Sequence, residues 1–198
     1  MRNFAWCLLV LASVCGHAQP VADQNQHFLR AAIAPPEGLA LTASDLIVQM
    51  DKAGIRRAVV FSIAYQFGNP NRPAMENEYE RVKAENDWTR EQAALYPKRL
   101  TAFCSTNPLK DYALAEIARC SRDAGLKLHF GNSDVDLDNP NDVEQLQRVF
   151  REANRHRMAI VVHLHATISR QRPWGAQQAR TFLERVLPSA PASALPTN

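Results

Sequence analysis

The chain has 198 residues, 46% of them hydrophobic and 22% charged, with 23 Lys+Arg against 20 Asp+Glu and a formal net charge of +3. So high an apolar fraction with so small a net charge excludes an intrinsically disordered chain, and the charge is too low to make a nucleic-acid-binding surface. The length fits one domain with a sizeable core.

Met1-Arg2-Asn3 is a short basic start, and from Phe4 to Val14 only Ser13 is polar. That run is too short to span a bilayer, and Gly16-His17-Ala18 follows it with small residues where a signal peptidase reads them. Residues 1–18 therefore read as a secretory signal peptide cut after Ala18. The expected product is an exported chain over 19–198, periplasmic or secreted, with no membrane association of its own. Cys7 and Cys15 leave with the signal, so Cys104 and Cys120 remain. Two cysteines do not make a disulfide scaffold. A single bridge and a pair of buried free thiols both stay open, and neither residue has the spacing of a metal motif.

Beyond the leader, strand-like and helix-like segments alternate. Val21 to Leu29 is a short candidate first strand ending near His27. Thr42-Ala43-Ser44-Asp45 forms a capping box, Leu41 and Leu46 form a staple, and Gly54 closes the helix they open. Arg57 to Ala64, Leu100 to Cys104, Leu126 to Phe130 and Ala159 to His165 are apolar runs of strand length. Helical patterns fill about 76–96 and 112–124. Asn139-Pro140 caps a further helix whose Val143, Leu146, Val149, Phe150 and Ala153 share one face. Ala179, Phe182, Leu183, Val186 and Leu187 give the last helix its apolar face.

Apolar strands alternating with amphipathic helices predict a parallel sheet covered by helices, either doubly wound or a (β/α) barrel. No glycine-rich phosphate loop follows any strand, which disfavours a nucleotide-binding sheet. Histidines stand at the strand ends instead: His27, His129, His163 and His165. In a barrel the C-terminal strand ends build the site, so these four converge there. Imidazole suits zinc and related divalent ions, and such an ion lowers the pKa of a bound water. His163 and His165, like Lys127 and His129, are two apart and share a strand face. A single strand histidine is as often a hydrogen-bonded core or rim residue.

Several other features have plainer readings. The charged stretch Glu76, Glu78, Glu80, Arg81, Lys83 and Glu85 reads as a solvated helix face. Arg151, Arg155, His156 and Arg157 suit a helix C-terminus. Gly68 to Pro73 is a turn-rich connector on the active-site face of a barrel. Asp134, Asp136 and Asp138 alternate like calcium ligands but lack the rest of an EF-hand loop, so helix capping is the better reading.

Ala22-Asp23-Gln24-Asn25-Gln26-His27, Asp45-Leu46 through Asp51-Lys52-Ala53-Gly54-Ile55, Glu85-Asn86-Asp87-Trp88, Asn107-Pro108, Gly125 to Phe130 and Ala159 to His163, in that order and spacing, resemble the amidohydrolase-related proteins of the metal-dependent hydrolase superfamily. The likeness runs from about Ala22 to Pro191. It implies a TIM-like (β/α)8 barrel, incomplete here at about five units, and a metal-activated water attacking a small organic amide, ester or lactone, or decarboxylation of a related acid. It implies a divalent metal, most simply zinc with manganese as the alternative. The family's first-strand His-x-His falls on Asn25 and His27, and its fifth-strand histidine on His163, so His27 and His163 are the implied ligands. Asn25, Lys127, His129 and His165 are implied substrate or supporting residues at the site rim. The family's sixth-strand histidine and late aspartate have no counterpart, which predicts a truncated member. The alternatives are a non-catalytic remnant of the fold, either an exported ligand-binding domain or a fragment with no function, and an unrelated open α/β enzyme, which fits the periodicity but not the motif order. The expected partners are a small-molecule substrate and a homo-oligomer that covers the open sheet edges.

Overall fold

A computed structural model describes residues 21–30, 40–164 and 175–191. The first helix, α1 (Ala43–Ala53), starts where the capping box requires, with the Thr42 hydroxyl accepting from the Asp45 N–H and the Asp45 carboxylate accepting from the Thr42 N–H at 2.9 Å. It ends at Gly54, whose φ of 70° is left-handed and sterically free only without a side chain. The remaining helices are α2 (Glu78–Ala94), α3 (Ala113–Arg119), α4 (Pro140–Arg155) and α5 (Ala176–Thr181). Asn139 caps α4 by accepting from the Asn141 N–H, and all five predicted core residues of that helix are buried. In the Asp134–Asp138 stretch the Asp142 carboxylate accepts from the Asp136 N–H and the Asp136 carboxylate from the Asp138 N–H, each at 2.9 Å, while the cap of α4 is Asn139 and not one of these aspartates.

The strands are β1 (Ala22–Gln26), β2 (Arg57–Phe61), β3 (Leu100–Ser105), β4 (Gly125–His129) and β5 (Ala159–His163). They pair in the order β1-β2-β3-β4-β5, every neighbour parallel. Each crossover advances the sheet in the same direction, and such crossovers are right-handed almost without exception, so the helices gather on one face. A doubly wound sheet reverses its order and covers both faces. The architecture is thus part of a (β/α)8 barrel, about half the wall.

The concave face carries Phe61, Phe103, Lys127, His129 and His163, with the Phe61 and Phe103 rings edge to face at 5.4 Å. Alternate residues such as Val60, Cys104, Leu126 and Leu128 are buried under the helices. Gly125 makes room for this packing. A Cβ there would stand 2.3 Å from Phe103 Cε2 and 2.4 Å from the Ala159 carbonyl oxygen.

Four expectations need correction. β1 is shorter than Val21–Leu29, and His27 follows it because the chain turns away to the Leu29–Leu41 bridge. A π turn at Phe182–Val186 follows α5 and rotates the later residues, so Phe182 and Val186 are buried while Leu183 and Leu187 are 57% and 44% exposed. Glu85 is not on a solvated face, being 2% exposed and 3.5 Å from Arg30. Glu85-Asn86-Asp87-Trp88 gains a packing role: Asn86 accepts from the Ser105 N–H and donates to the Ser105 carbonyl, each at 2.9 Å, while Trp88 packs on Phe28. Residues 1–18, His165 and the end of the chain lie outside the described residues.

Candidate metal and substrate site

His27 sits just past β1, half-buried, with its Nδ1 2.9 Å from the Phe61 carbonyl oxygen. A carbonyl can only accept, so Nδ1 carries the proton and Nε2 keeps its lone pair. That is the tautomer a metal ligand needs, held by the backbone of the neighbouring strand. Burial, followed by the Lys127 charge, pushes the His27 pKa down against the raising effect of that carbonyl, so the ring stays neutral.

His129, at the end of β4, has the opposite tautomer. Its Nδ1 is 3.1 Å from the Asn132 backbone N–H, which can only donate. Nε2 of the neutral ring therefore bears the proton and is a hydrogen-bond donor with no lone pair for a metal. Burial first, then the nearby His163 and Lys127, push its pKa down to about 4. The ring is stacked between Tyr65 at 5.1 Å and His163 at 4.3 Å. His163 ends β5 directly opposite His129 in the register and is exposed.

Lys127 is 6% exposed, and its Nζ lies 4.9 Å from the centre of the Phe61 ring. It forms no ion pair with any described residue, and burial pushes its pKa down. Lys127 and His129 are thus buried floor residues rather than the rim residues expected from sequence. Curvature of the sheet brings β1 and β5 to the two sides of an open cleft of about 450 Å³, whose walls include Asn25, Phe61, Lys127 and His163. His27 is not one of its walls.

The expected convergence is therefore partial. His163 and Lys127 face Asn25 across the cleft, with His129 stacked behind His163, yet the three ring donors do not form a compact ligand set. Among the described residues, the one group of three donors lying within 4.8 Å of one another is Cys104, Cys120 and Asp123, on the helix-covered side of the sheet. Both cysteines are free and buried. Sequence reasoning missed Tyr65 and the Phe61 carbonyl, which hold His129 and His27; a loop aromatic and a backbone oxygen leave no signal in a motif.

No family model matches this chain, and no curated protein does. Solved structures do. It is similar to 2,6-dihydroxybenzoate decarboxylase from Rhizobium in complex with 2,6-dihydroxybenzoate, with TM-score 0.57 and 19% identity over 86% of this chain and 62% of that one. It is similar to 5-carboxyvanillate decarboxylase from Sphingomonas paucimobilis, with TM-score 0.53 and 14% identity over 78% and 54% of the two chains. A candidate amidohydrolase from Staphylococcus aureus matches with TM-score 0.56 and 19% identity over 82% and 55%. The chain spans less than two thirds of the length of each of these structures. The fold is the one the sequence resemblance implied, a partial (β/α)8 barrel, and these structures share it.

Proposed function

We propose that this half-barrel carries one side of a metal-dependent hydrolase or decarboxylase site acting on a small organic acid or its amide, ester or lactone. The observation that carries this reading is the backbone-fixed tautomer of His27, whose Nε2 is left free as a ligand beside a cleft floored by an unpaired lysine. His27 and His163 would hold the ion, zinc by preference and manganese as the alternative. A bound divalent ion supplies a Lewis acid and a more acidic water. Lys127 offers its ammonium to a substrate carboxylate, in a setting where no protein acid competes for it. The His129 Nε2–H donates to a substrate oxygen and, because the ring resists protonation, stays neutral while doing so.

A second reading, a ligand-binding domain that needs no metal, is favoured by the failure of the three histidine donors to gather. Elemental analysis of the purified chain beside His27→Ala and His163→Ala variants separates the two. Zinc or manganese content that falls by about one ion per chain in both variants supports the first reading. Binding of 2,6-dihydroxybenzoate without metal, lost at least tenfold in Lys127→Met, supports the second. Neither result in a folded chain overturns both. We also infer export through the 1–18 leader, for which N-terminal sequencing of the exported chain should begin at Gln19.

A further inference from the structure

We propose that Cys104, Cys120 and Asp123 form a second metal site, separate from the histidine cleft and suited to a thiophilic divalent ion such as zinc. Cys104 alternates with Phe103 on β3, so it points to the helix-covered side while Phe103 faces the concave one. Cys120 is the residue that ends α3, and Asp123 lies in the turn that leads from it to β4. Cys104 and Cys120 are 1% and 0% exposed, the Asp123 side chain is 2% exposed, and one donor atom of each lies within 4.8 Å of the others. That separation is within reach of the ligand spacings of a tetrahedral thiolate site, given small side-chain rotations.

Two further observations point to a ligand rather than to three chance neighbours. Asp123 Oδ1 is 3.6 Å from Arg90 Nη1, but Oδ2 is buried without a hydrogen-bond partner. A buried carboxylate oxygen left open is uncommon and calls for an explanation, which a cation supplies. Exchange of thiol protons for an ion is also charge-neutral. Arg90 and Arg119 stand against Asp87, Glu116 and Asp123 in one connected cluster, with Arg119 bonded to Glu116 at 2.7 Å and to Asp87 at 2.5 Å. Replacing two thiol protons with one divalent ion leaves the charge of this buried cluster unchanged, so the exchange avoids placing new net charge in the interior. Glu116, which accepts the Cys120 S–H at 3.6 Å, adjoins the site but is held by Arg119 and Asn86, so the fourth position is left to water. The ion would tie the end of α3 to β3 and act in stability, not in the cleft.

The test uses the full chain carrying His27→Ala and His163→Ala, so that metal held by the cleft does not contribute. Cobalt(II) added to this chain after chelator treatment should give the near-ultraviolet absorption of thiolate-to-cobalt charge transfer at one ion per chain. Cys104→Ser and Cys120→Ser should each abolish it. Asp123→Asn should weaken cobalt binding at least tenfold, and zinc should displace the cobalt and raise the melting temperature. Because both cysteines are buried and their replacement disturbs packing, Asp123→Asn with an unchanged circular dichroism spectrum decides. No charge-transfer band from a folded chain with two titratable thiols overturns the site, as does a disulfide between Cys104 and Cys120 in the chain as isolated. Absence of this band here together with metal bound by the chain with its histidines intact leaves the cleft reading standing and overturns this site, and a band here with no histidine-dependent metal in the intact chain supports this site alone.

Discussion

Glu85 shows how a single residue can be read wrongly from charge alone and still yield a prediction once placed. It is 2% exposed, and its Oε1 has no hydrogen-bond partner while Arg30 stands 3.5 Å from Oε2. Burial, the larger effect, pushes its pKa up against the lowering effect of Arg30. The folded state thus holds this proton more tightly than the unfolded state, and the stability it gives is present below the ordinary glutamate range and lost as pH rises through the folded value. Glu85→Gln, which mimics the protonated form, should unfold at a higher denaturant concentration than the parent at pH 7.5, and the advantage should vanish on acidification to about pH 4. A variant less stable than the parent at pH 7.5 would show that the Arg30 pairing outweighs burial. The site histidines were more legible. His27, His129 and His163 are placed at strand ends by a simple alternation of apolar runs, but which ring nitrogen each leaves free depends on Phe61 and Asn132, far away or in a loop.

At the scale of elements, local signals were read where the stabilising bonds are themselves local. The Thr42 and Asn139 caps and the Gly54 stop involve residues within a turn of one another. Helix α2 was harder, because its inward stripe is Val82, Glu85, Asn86, Thr89 and Ala93. Those positions have helical spacing, yet three of them are polar, so hydrophobic periodicity cannot pick out the buried face. Asn86 explains why polarity is tolerated. It pairs both backbone groups of Ser105 and donates to Glu116 at 2.6 Å, which extends the hydrogen bonding of β3 past its last strand neighbour. Asn86→Ala would orphan a buried N–H and a buried carbonyl, at a cost on the order of 3 kcal/mol by urea denaturation. A loss below about 1 kcal/mol would mean that water replaces the amide. Gly125→Ala should cost roughly 3 kcal/mol or more, since one of its clashes is with the Ala159 backbone and cannot be relieved by moving a side chain.

Among the described residues the sheet ends at β1 on one side and β5 on the other, and its stability should be graded across it. Every residue of β4 is buried, whereas β5 is exposed or intermediate along its length. Two apolar clusters support the middle, one beneath α1 and α2 and the other beneath α3 and α4. In a parallel ladder a residue sends its N–H and C=O to the same side, and the Ala159 N–H bonds to the Ala124 carbonyl at 3.2 Å. Ile160 and Val162 therefore send theirs to the open edge, next to an apolar groove of about 610 Å³ lined by Phe150, Met158 and Phe182. An uncovered edge opens before the centre of the sheet does. Native-state hydrogen exchange should find the slowest amides in β3 and β4, and the Ile160 and Val162 amides exchanging orders of magnitude faster. Rates at those two positions should not change with protein concentration if the chain is a monomer. Protection that grows with concentration would instead mean that a second copy pairs along β5, the strand that also carries one wall of the cleft.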